Sequence, residues 1–423
     1  MLGVKVLLLG GGGREHAIAW KLAQSPRLTR LWAAPGSDAI AAHARCLALD
    51  PLDPAAVAAF IRANAVDLVF IGPEAPLAAG VSDAARGAGA LVFGPSRSAS
   101  RLETSKAFAK DFMGRHGVPT ARARACATAA EAKAAARHFE GRCAVKADGP
   151  AAGKGVIVCG CVAEADRAVD ALAPTAAGRS LIVEERLEGP ELTVMLLIGG
   201  RGHAALALSQ DHKRLRDGDA GPNTGGMGAL APAPLDAAAW KTLSAAVIEP
   251  TLAGLDEDGV DYRGALYVGV MLTPDGPKVL EYNARFGDPE TQAVLPLLDA
   301  DLLALAADCA AGKLAPGILP AHPGACVAVA LASPGYPESP KTGAALDLSG
   351  ADGMKDVLIF HAGTKKTPAG WEAAGGRVLT VVGRGPDLAA ARARAYAAVD
   401  RLKTPGLQYR RDIGAKALGR VIA

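Results

Sequence analysis

Long apolar runs are missing from this 423-residue chain, and no stretch approaches the ~18 consecutive apolar residues that a bilayer-spanning helix needs. The N-terminal run Val4-Lys5-Val6-Leu7-Leu8-Leu9 is too short for the core of a secretion signal, and it ends in glycines rather than at a small-residue cleavage site. Excess charge of one sign is also missing. Lys and Arg total 46 against 43 Asp and Glu, a formal net charge of +3, with no basic stripe and no polybasic patch. Nucleic acid and membrane surfaces are therefore not the expected partners, and small molecules are. The seven cysteines (Cys46, Cys126, Cys143, Cys159, Cys161, Cys309, Cys326) are an odd number without framework spacing. Only Cys159 and Cys161 are close, and no Cys or His cluster joins them at zinc spacing. Reduced structural thiols in a soluble, cytoplasmic protein are the expectation.

What the chain does contain is glycine (50) and proline (28) within a half-apolar composition, as in a turn-rich α/β enzyme. At ~100–200 residues per domain the length predicts three or four domains. Strand-like runs at 4–9, 31–34, 67–71 and 91–93 alternate with helical stretches at 15–23, 54–64 and 77–88, the pattern of a doubly wound parallel sheet over about residues 1–100. A helix at 103–116 follows. A small glycine-hinged block then carries strands 143–147, 156–159 and 180–184 and a helix at 163–173. Strands at 192–198, 203–208, 265–272 and 278–283 predict a mainly antiparallel sheet, with helices at 236–253 and 289–311. The polar stretch 209–228 reads as a long loop, and loops beyond about 12–15 residues are usually functional or disordered. From Ala325 onward short strands (326–332, 357–361, 377–383) precede a last helix at 387–402, and there is no internal repeat.

The most informative run is Glu281-Tyr-Asn-Ala-Arg-Phe-Gly-Asp-Pro-Glu-Thr-Gln292, at the end of a strand entered through a Pro-Asp-Gly turn. Period-two geometry puts Glu281 and Asn283 on one face, two oxygen donors for a divalent cation that also bridges phosphate oxygens. Glu-x-Asn alone could be a polar strand end. The charge density of the adjoining Arg-Phe-Gly-Asp-Pro-Glu, which a packed core does not need, favours the functional reading.

Three other segments suit phosphate chemistry. Gly10–Gly13, between a strand and a helix, can turn backbone N–H groups and a helix N-terminus toward phosphate, or serve only as a tight turn. A dinucleotide fingerprint would need glycine where Glu15 or His16 stands, and the next strand ends in Ala33-Ala34-Pro35 without a ribose-binding acid. Asp148-Gly-Pro-Ala-Ala-Gly-Lys154-Gly155 differs from a Walker loop because Lys154 precedes Gly155 rather than Ser or Thr, and because a strand follows. It suits a flap over a triphosphate. Lys146 before it and Lys106 at the opening of a helix are candidate phosphate ligands, though a lone helical lysine is commonly solvated. Glu184-Glu-Arg-Leu-Glu-Gly-Pro-Glu191 could read a purine and its ribose, or could be an ordinary strand-to-turn junction.

Together with Gly-Gly-Gly-Arg-Glu-His-Ala (11–17), Gly-Pro-Glu-Ala-Pro-Leu (72–77), Ser-Lys-Ala-Phe (105–108), Ser-Gln-Asp-His-Lys-Arg (209–214), Gly-Pro-Asn-Thr-Gly-Gly-Met-Gly (221–228) and His-Ala-Gly-Thr (361–364), these segments occur in an order that resembles the ATP-grasp ligases. Within that superfamily they are similar to the phosphoribosylamine–glycine ligases, also called glycinamide ribonucleotide synthetases, over essentially the whole chain.

The resemblance implies ATP-dependent joining of glycine to 5-phosphoribosylamine through a glycyl-phosphate, an early step of purine synthesis. Another ATP-grasp carboxylate–amine ligase is the alternative. The implied architecture is a substrate-binding domain (1–102), a central ATP-grasp domain (103–120 and 189–324), a mobile lid (121–188) and a C-terminal α+β domain (325–423). Glu281 and Asn283 would hold Mg²⁺ or Mn²⁺ and Arg285 would stabilise the transferred phosphoryl. Lys106, Lys146 and the loop with Gly149, Gly153, Lys154 and Gly155 would hold the ATP phosphates. Glu184 would meet the adenine amino group, Leu187 the adenine edge through its backbone, and Glu191 the ribose. Gly11, Gly12, Gly13, Arg14, Glu15 and Glu74 would face the ribose phosphate; Asp211, Lys213 and Asn223 would close on glycine. A monomer is expected, with no further pathway domain after Ala423. Two departures stand out. Pro150 replaces the usual leucine of the flap, stiffening it. Tyr267-Val-Gly-Val-Met271, on the preceding strand, has no acid, so a second metal would need Asp288, Glu290 or substrate oxygens.

Overall fold

The computed structural model describes residues 3–149 and 155–419. Pro150, Gly153 and Lys154 lie outside them. The N-terminal sheet is five-stranded and parallel, in the order Arg45–Cys46, Leu28–Pro35, Val4–Gly10, Leu68–Ile71, Leu91–Phe93. Val6 to Leu9 are fully buried because helices cover both faces, so the strand reads as a continuous apolar run. The order reverses around Val4–Gly10, which brings the turns Gly10–Gly13 and Gly72–Glu74 side by side at the carboxyl edge, where such sheets bind ligands.

Next comes a four-stranded antiparallel sheet, Ala123–Cys126, Leu181–Glu185, Cys143–Ala147 and Val156–Cys159, backed by helices Ala129–His138 and Val162–Leu172. Its first strand and first helix were absent from the sequence reading. An alanine-rich helix gives little periodic contrast, and the strand is exposed at all but Cys126. The central sheet runs Gly276–Asn283, Arg263–Thr273, Glu191–Gly199, Gly202–Ala205, Gly317–Ile318.

Several predicted elements are interrupted. The 103–116 helix breaks at Ser105, whose extended backbone and side chain cap the helix Lys106–Arg115. The 77–88 helix is two, Glu74–Ala79 and Val81–Gly87, parted by left-handed Gly80. The 289–311 helix is also two, Glu290–Val294 and Leu302–Ala310; Pro296 cannot extend the first, and Asp301 caps the second. Residues 236–257 continue through a π-turn at Ser244–Ile248.

The 209–228 stretch is not one loop. Gln210–Asp211 and Gly228–Ala231 enter the C-terminal sheet beside Ala325–Ala332, Arg377–Gly385 and Val357–His361, while Arg214–Arg216 and Ala220–Asn223 pair as a ribbon. Thus a segment placed with the central unit is stitched into the sheet that follows it. Small and β-bonding residues are interspersed with polar ones here, so neither period was visible. Helix Leu388–Val399 packs on that sheet, with Gly383 and Gly385 leaving no room for a Cβ against it.

Candidate functional site

One cavity of about 1100 Å³ lies where these sheets meet. Its wall is built first by the strand Gly276–Asn283. Gly269 pairs with Glu281 and Val270 with Val279, so Leu280 is an extra residue, a β-bulge. Val279 and Tyr282 are buried on either side of it, and Glu281 and Asn283 face the cavity. Without the bulge, strict alternation would have carried Tyr282 to the face opposite Val279. Gly269 stands opposite Glu281 in the sheet.

Lys213 reaches in from the ribbon and lies 3.3 Å from Glu281 Oε1 and 3.1 Å from Glu191 Oε2. Its ammonium is the main reason the Glu281 carboxyl is held down at about 2. Burial disfavours the charge on Lys213, but Glu191 and Glu281 outweigh it and raise its pKa. A cationic group therefore already sits against the face that Glu281 and Asn283 present. That donor set, one ionised carboxylate and one amide oxygen in a cavity also lined by Lys106, Lys110, Lys146, Lys213 and Lys416, fits a divalent cation, which would neutralise phosphate charge there. Among the described residues no group of three or more His, Cys, Asp or Glu could hold a metal by itself.

Arg285 is held by two carboxylates: Nη2 is 3.1 Å from Glu103 Oε1, and Nε is 3.6 Å from Glu74 Oε2. Burial opposes its charge, yet Glu103 and Glu74 more than offset this and raise its pKa. It also donates to Asn283 Oδ1 at 3.2 Å. Nε is buried, makes no hydrogen bond among the described residues and faces Glu74. Burial pushes the Glu103 carboxyl up. Asp288 does not pair with Arg285; it takes Arg377 Nη2 at 2.8 Å and Gln292 Nε2 at 2.8 Å. Glu290 accepts from Thr193 Oγ1 at 3.4 Å. Asp288 is thereby committed away from a second metal.

The nucleotide-like set converges on the same cavity. Lys106 donates to Gly149 O at 3.4 Å, and burial lowers its pKa. Lys146 spans Leu280 O (3.1 Å) and Glu184 Oε2 (2.7 Å). Gly149, Gly155, Leu187 and Glu191 line the cavity. From the N-terminal sheet Arg14 and Glu74 also line it. Gly11, Gly12, Gly13 and Glu15 do not: Glu15 turns back to take the Gly12 N–H at 2.8 Å and Arg14 Nε at 2.6 Å, closing the first turn of its own helix. Gly11 is needed sterically, since a Cβ would lie 2.4 Å from Gly36 O. Asp211 and Asn223 line the cavity with Lys213. Burial, reinforced by Glu290, drives the Asp211 carboxyl well above its usual range, and Asp211 Oδ1 has no partner among the described residues.

Sequence reading missed Glu103, Lys110, Tyr336 and Arg377. Tyr336 OH accepts the Gly225 N–H at 2.9 Å, and Arg377 Nη1 donates to Gly225 O and, at 2.8 Å, to Asp288 O. No local pattern marks these residues. Glu103 had a weak signal, an acid next to the Ser-Lys-Ala-Phe segment.

Family profiles described as phosphoribosylglycinamide synthetase match in chain order: the N domain at residues 4–103, the ATP-grasp (A) domain at 104–291 and the C domain at 326–416. A protein of Brucella melitensis named phosphoribosylamine–glycine ligase is 45% identical over 423 residues, covering 99% of this chain and 99% of its own. One of Ralstonia nicotianae with the same name is 43% identical over 99% of this chain and 100% of its own. The crystal structure of the Thermotoga maritima phosphoribosylamine–glycine ligase superposes with a TM-score of 0.85 at 32% identity, covering 97% of this chain and 100% of that one. Biotin carboxylase from Campylobacter jejuni shares the fold alone, with a TM-score of 0.72 at 17% identity over 96% of this chain and 93% of that one. Matched along nearly its whole length by these profiles and relatives, the chain belongs to the phosphoribosylglycinamide synthetase family.

Proposed function

We propose that this protein joins glycine to 5-phosphoribosylamine at the expense of ATP, giving glycinamide ribonucleotide, ADP and phosphate in de novo purine synthesis. The observation that carries this reading is the convergence of Lys106, Lys146, Glu191, Glu281, Asn283 and Arg285 with Arg14, Glu74, Asp211 and Lys213 on one cavity. A triphosphate, a small zwitterion and a sugar phosphate need such a mixture of charges at close range.

Glycine's carboxylate is a poor electrophile, so a carboxylate oxygen first attacks the γ-phosphorus and ADP leaves. The amine of phosphoribosylamine then attacks the carbonyl carbon of the glycyl-phosphate, phosphate departs, and the nitrogen loses a proton. In our reading Lys106 and Lys146 hold the phosphates, with the 148–155 segment, of which 150–154 lie outside the described residues, expected to cover them. Glu184 and the backbone at Leu187 receive the adenine, and Glu191 the ribose. Arg285 places positive charge where the phosphoryl oxygens gain negative charge. Asp211, with Asn223, offers acceptors for glycine's ammonium, and Lys213 faces its carboxylate. Arg14 and Glu74, the members of the 11–15 and Glu74 set that line the cavity, would face the ribose phosphate, with Arg14 as the charged contact. Glu281 and Asn283 would hold Mg²⁺ or Mn²⁺, which neutralises triphosphate charge when bound.

In our reading the chain divides into 1–102, 103–120 with 189–324, 121–188 as lid, and 325–423; the separate sheets support this, while strands 210–211 and 228–231 join the last of them. The free thiols and small-molecule substrates suit the cytoplasm, and among the described residues no helix is long and apolar enough to cross a membrane. Phosphate release measured with ATP and glycine, with and without phosphoribosylamine, tests the reading. Release stimulated by phosphoribosylamine and accompanied by glycinamide ribonucleotide is expected; indifference to either substrate would overturn it.

A further inference from the structure

Lys110 has no part in the scheme above, yet it is the most heavily engaged lysine of the cavity. It sits on the helix Lys106–Arg115, in the body of the molecule. Its ammonium donates to Thr120 Oγ1 at 2.7 Å and to Ala121 O at 3.0 Å, and lies 3.1 Å from Glu184 Oε1. All three N–H donors are thus taken. Thr120 and Ala121 are where the chain leaves the body for the small four-stranded sheet, and Glu184 lies near the end of the strand by which it returns. Thr120 is itself locked to the body, since its hydroxyl donates to Val279 O at 2.7 Å and Val279 N–H donates to Pro119 O at 2.8 Å. The side chain of Glu184 is 3% exposed, and its other oxygen is taken by Lys146. Burial lowers the Lys110 pKa to about 8, against the pull of Glu184. A buried ammonium is costly unless paired and hydrogen-bonded, so a solvated surface lysine is not what this is.

From this geometry we infer that Lys110 is a positioning residue for the purine: it pins both crossings between body and lid and fixes the Glu184 carboxylate in the orientation that accepts the adenine amino group. The inference rests on the reading of Glu184 as the purine acceptor. With one lysine on each oxygen, the carboxylate can neither rotate nor withdraw as the lid moves, and its remaining lone pairs are presented in a constant direction.

The test is a double-mutant cycle on the full-length protein, with Lys110→Met, Glu184→Gln and the two combined, read as KM for ATP, KM for glycine, kcat and the preference for ATP over GTP, which carries a carbonyl in place of the amine. Lys110→Met should raise KM for ATP about tenfold or more and erode the ATP preference, with kcat at saturating ATP and KM for glycine within about threefold. Lys110→Arg should restore most of the loss. In the Glu184→Gln background the Met substitution should add little, because the two residues act as one unit. The double variant removes Lys110 together with its carboxylate partner and leaves Lys146 with Leu280 O, and circular dichroism of each variant separates loss of fold from loss of nucleotide preference. If Glu184→Gln leaves nucleotide preference unchanged, the reading of Glu184 fails. If Glu184→Gln shifts it but Lys110→Met does not, or the Met substitution costs as much in the Gln background as in the wild type, the inference about Lys110 is overturned and its role is only structural.

Discussion

Glu103 Oε1 lies 3.1 Å from Arg285 Nη2, and the other oxygen of the same carboxylate accepts the Ala284 N–H at 2.7 Å. A single buried acid thus grips both the guanidinium and the backbone just before it. This fixes the direction of a positive charge at the end of the strand that carries Glu281 and Asn283. Arg285 does not tie down Asp288 at the turn, because Asp288 is taken by Arg377.

Arg285→Ala is expected to lower kcat by ~10²–10³ while raising KM for ATP much less, since a preorganised charge beside the transferred phosphoryl matters most in the transition state. Lysine at 285 should recover only part of the rate, because a point charge cannot reach Glu103 and the phosphoryl in one plane. Steady-state kinetics beside thermal melting decide the matter. A lowered Tm with kcat per folded molecule intact would remove Arg285 from the chemistry.

Glu281→Gln and Asn283→Ala should abolish metal-dependent turnover and leave circular dichroism native, because both side chains face the cavity rather than the core. Activity within about threefold, under ~0.7 kcal/mol in barrier, would contradict metal ligation.

Arg377→Ala should free Gly225, Gly226 and Asp288, all of which the guanidinium contacts. The loop over the glycine side would then lose its brace, so KM for glycine should rise tenfold or more with KM for ATP little changed. Equal effects on both substrates would point to global loosening.

The block 121–188 is expected to move as a lid. Hydrogen exchange with and without a non-hydrolysable ATP analogue should show slower exchange across its strands on binding. Unchanged protection would contradict a closing motion.

Acid should destabilise the fold in a defined window. Burial, aided by neighbouring His361 and His43, lowers His16 to about 3, and burial lowers His361 and His212 to about 4. Unfolded, each ring titrates near 6.5. Between about pH 6.5 and about 4 the unfolded chain therefore binds protons that the folded rings refuse, so stability falls as pH falls, by up to ~1.4 kcal/mol per unit for each ring. Above about pH 7 these rings contribute no slope. Glu281, held at about 2, acts only below its ordinary value near 4.5. Urea melts at pH 7, 6 and 5 measure the slope, and His16→Asn should reduce it. The raised Asp211 and Glu103 carboxyls act in the opposite sense over part of this range, so a slope that His16→Asn leaves unchanged would refute the assignment.

How much of this was legible follows from where each determinant lies in the chain. The alternation of apolar runs and helical stretches over residues 1–100 marks a parallel sheet because each strand, buried on both faces, must be apolar throughout. Glycine turns, Glu-x-Asn on one strand face and the lysines beside the flap are local patterns, carried by a few consecutive residues. The break at Ser105, the extra residue at Leu280 and the alanine-rich helix Ala129–His138 were not legible, since they change pairing without changing apolar content.

By itself the sequence determined the parallel N-terminal sheet, the family and part of the set of groups brought to the cavity, since local periodicity and short motifs suffice for these; Gly11, Gly12, Gly13 and Glu15 stay out of the cavity, and Glu103, Lys110, Tyr336 and Arg377 enter it with little or no local signal. Only the tertiary structure decided which charges meet. Glu103 and Ala284 are 181 positions apart, Arg377 and Gly225 152 apart, and Lys213 and Glu281 68 apart. The energy of a buried ion pair depends on separation and desolvation at the contact, and no spacing along the chain encodes either.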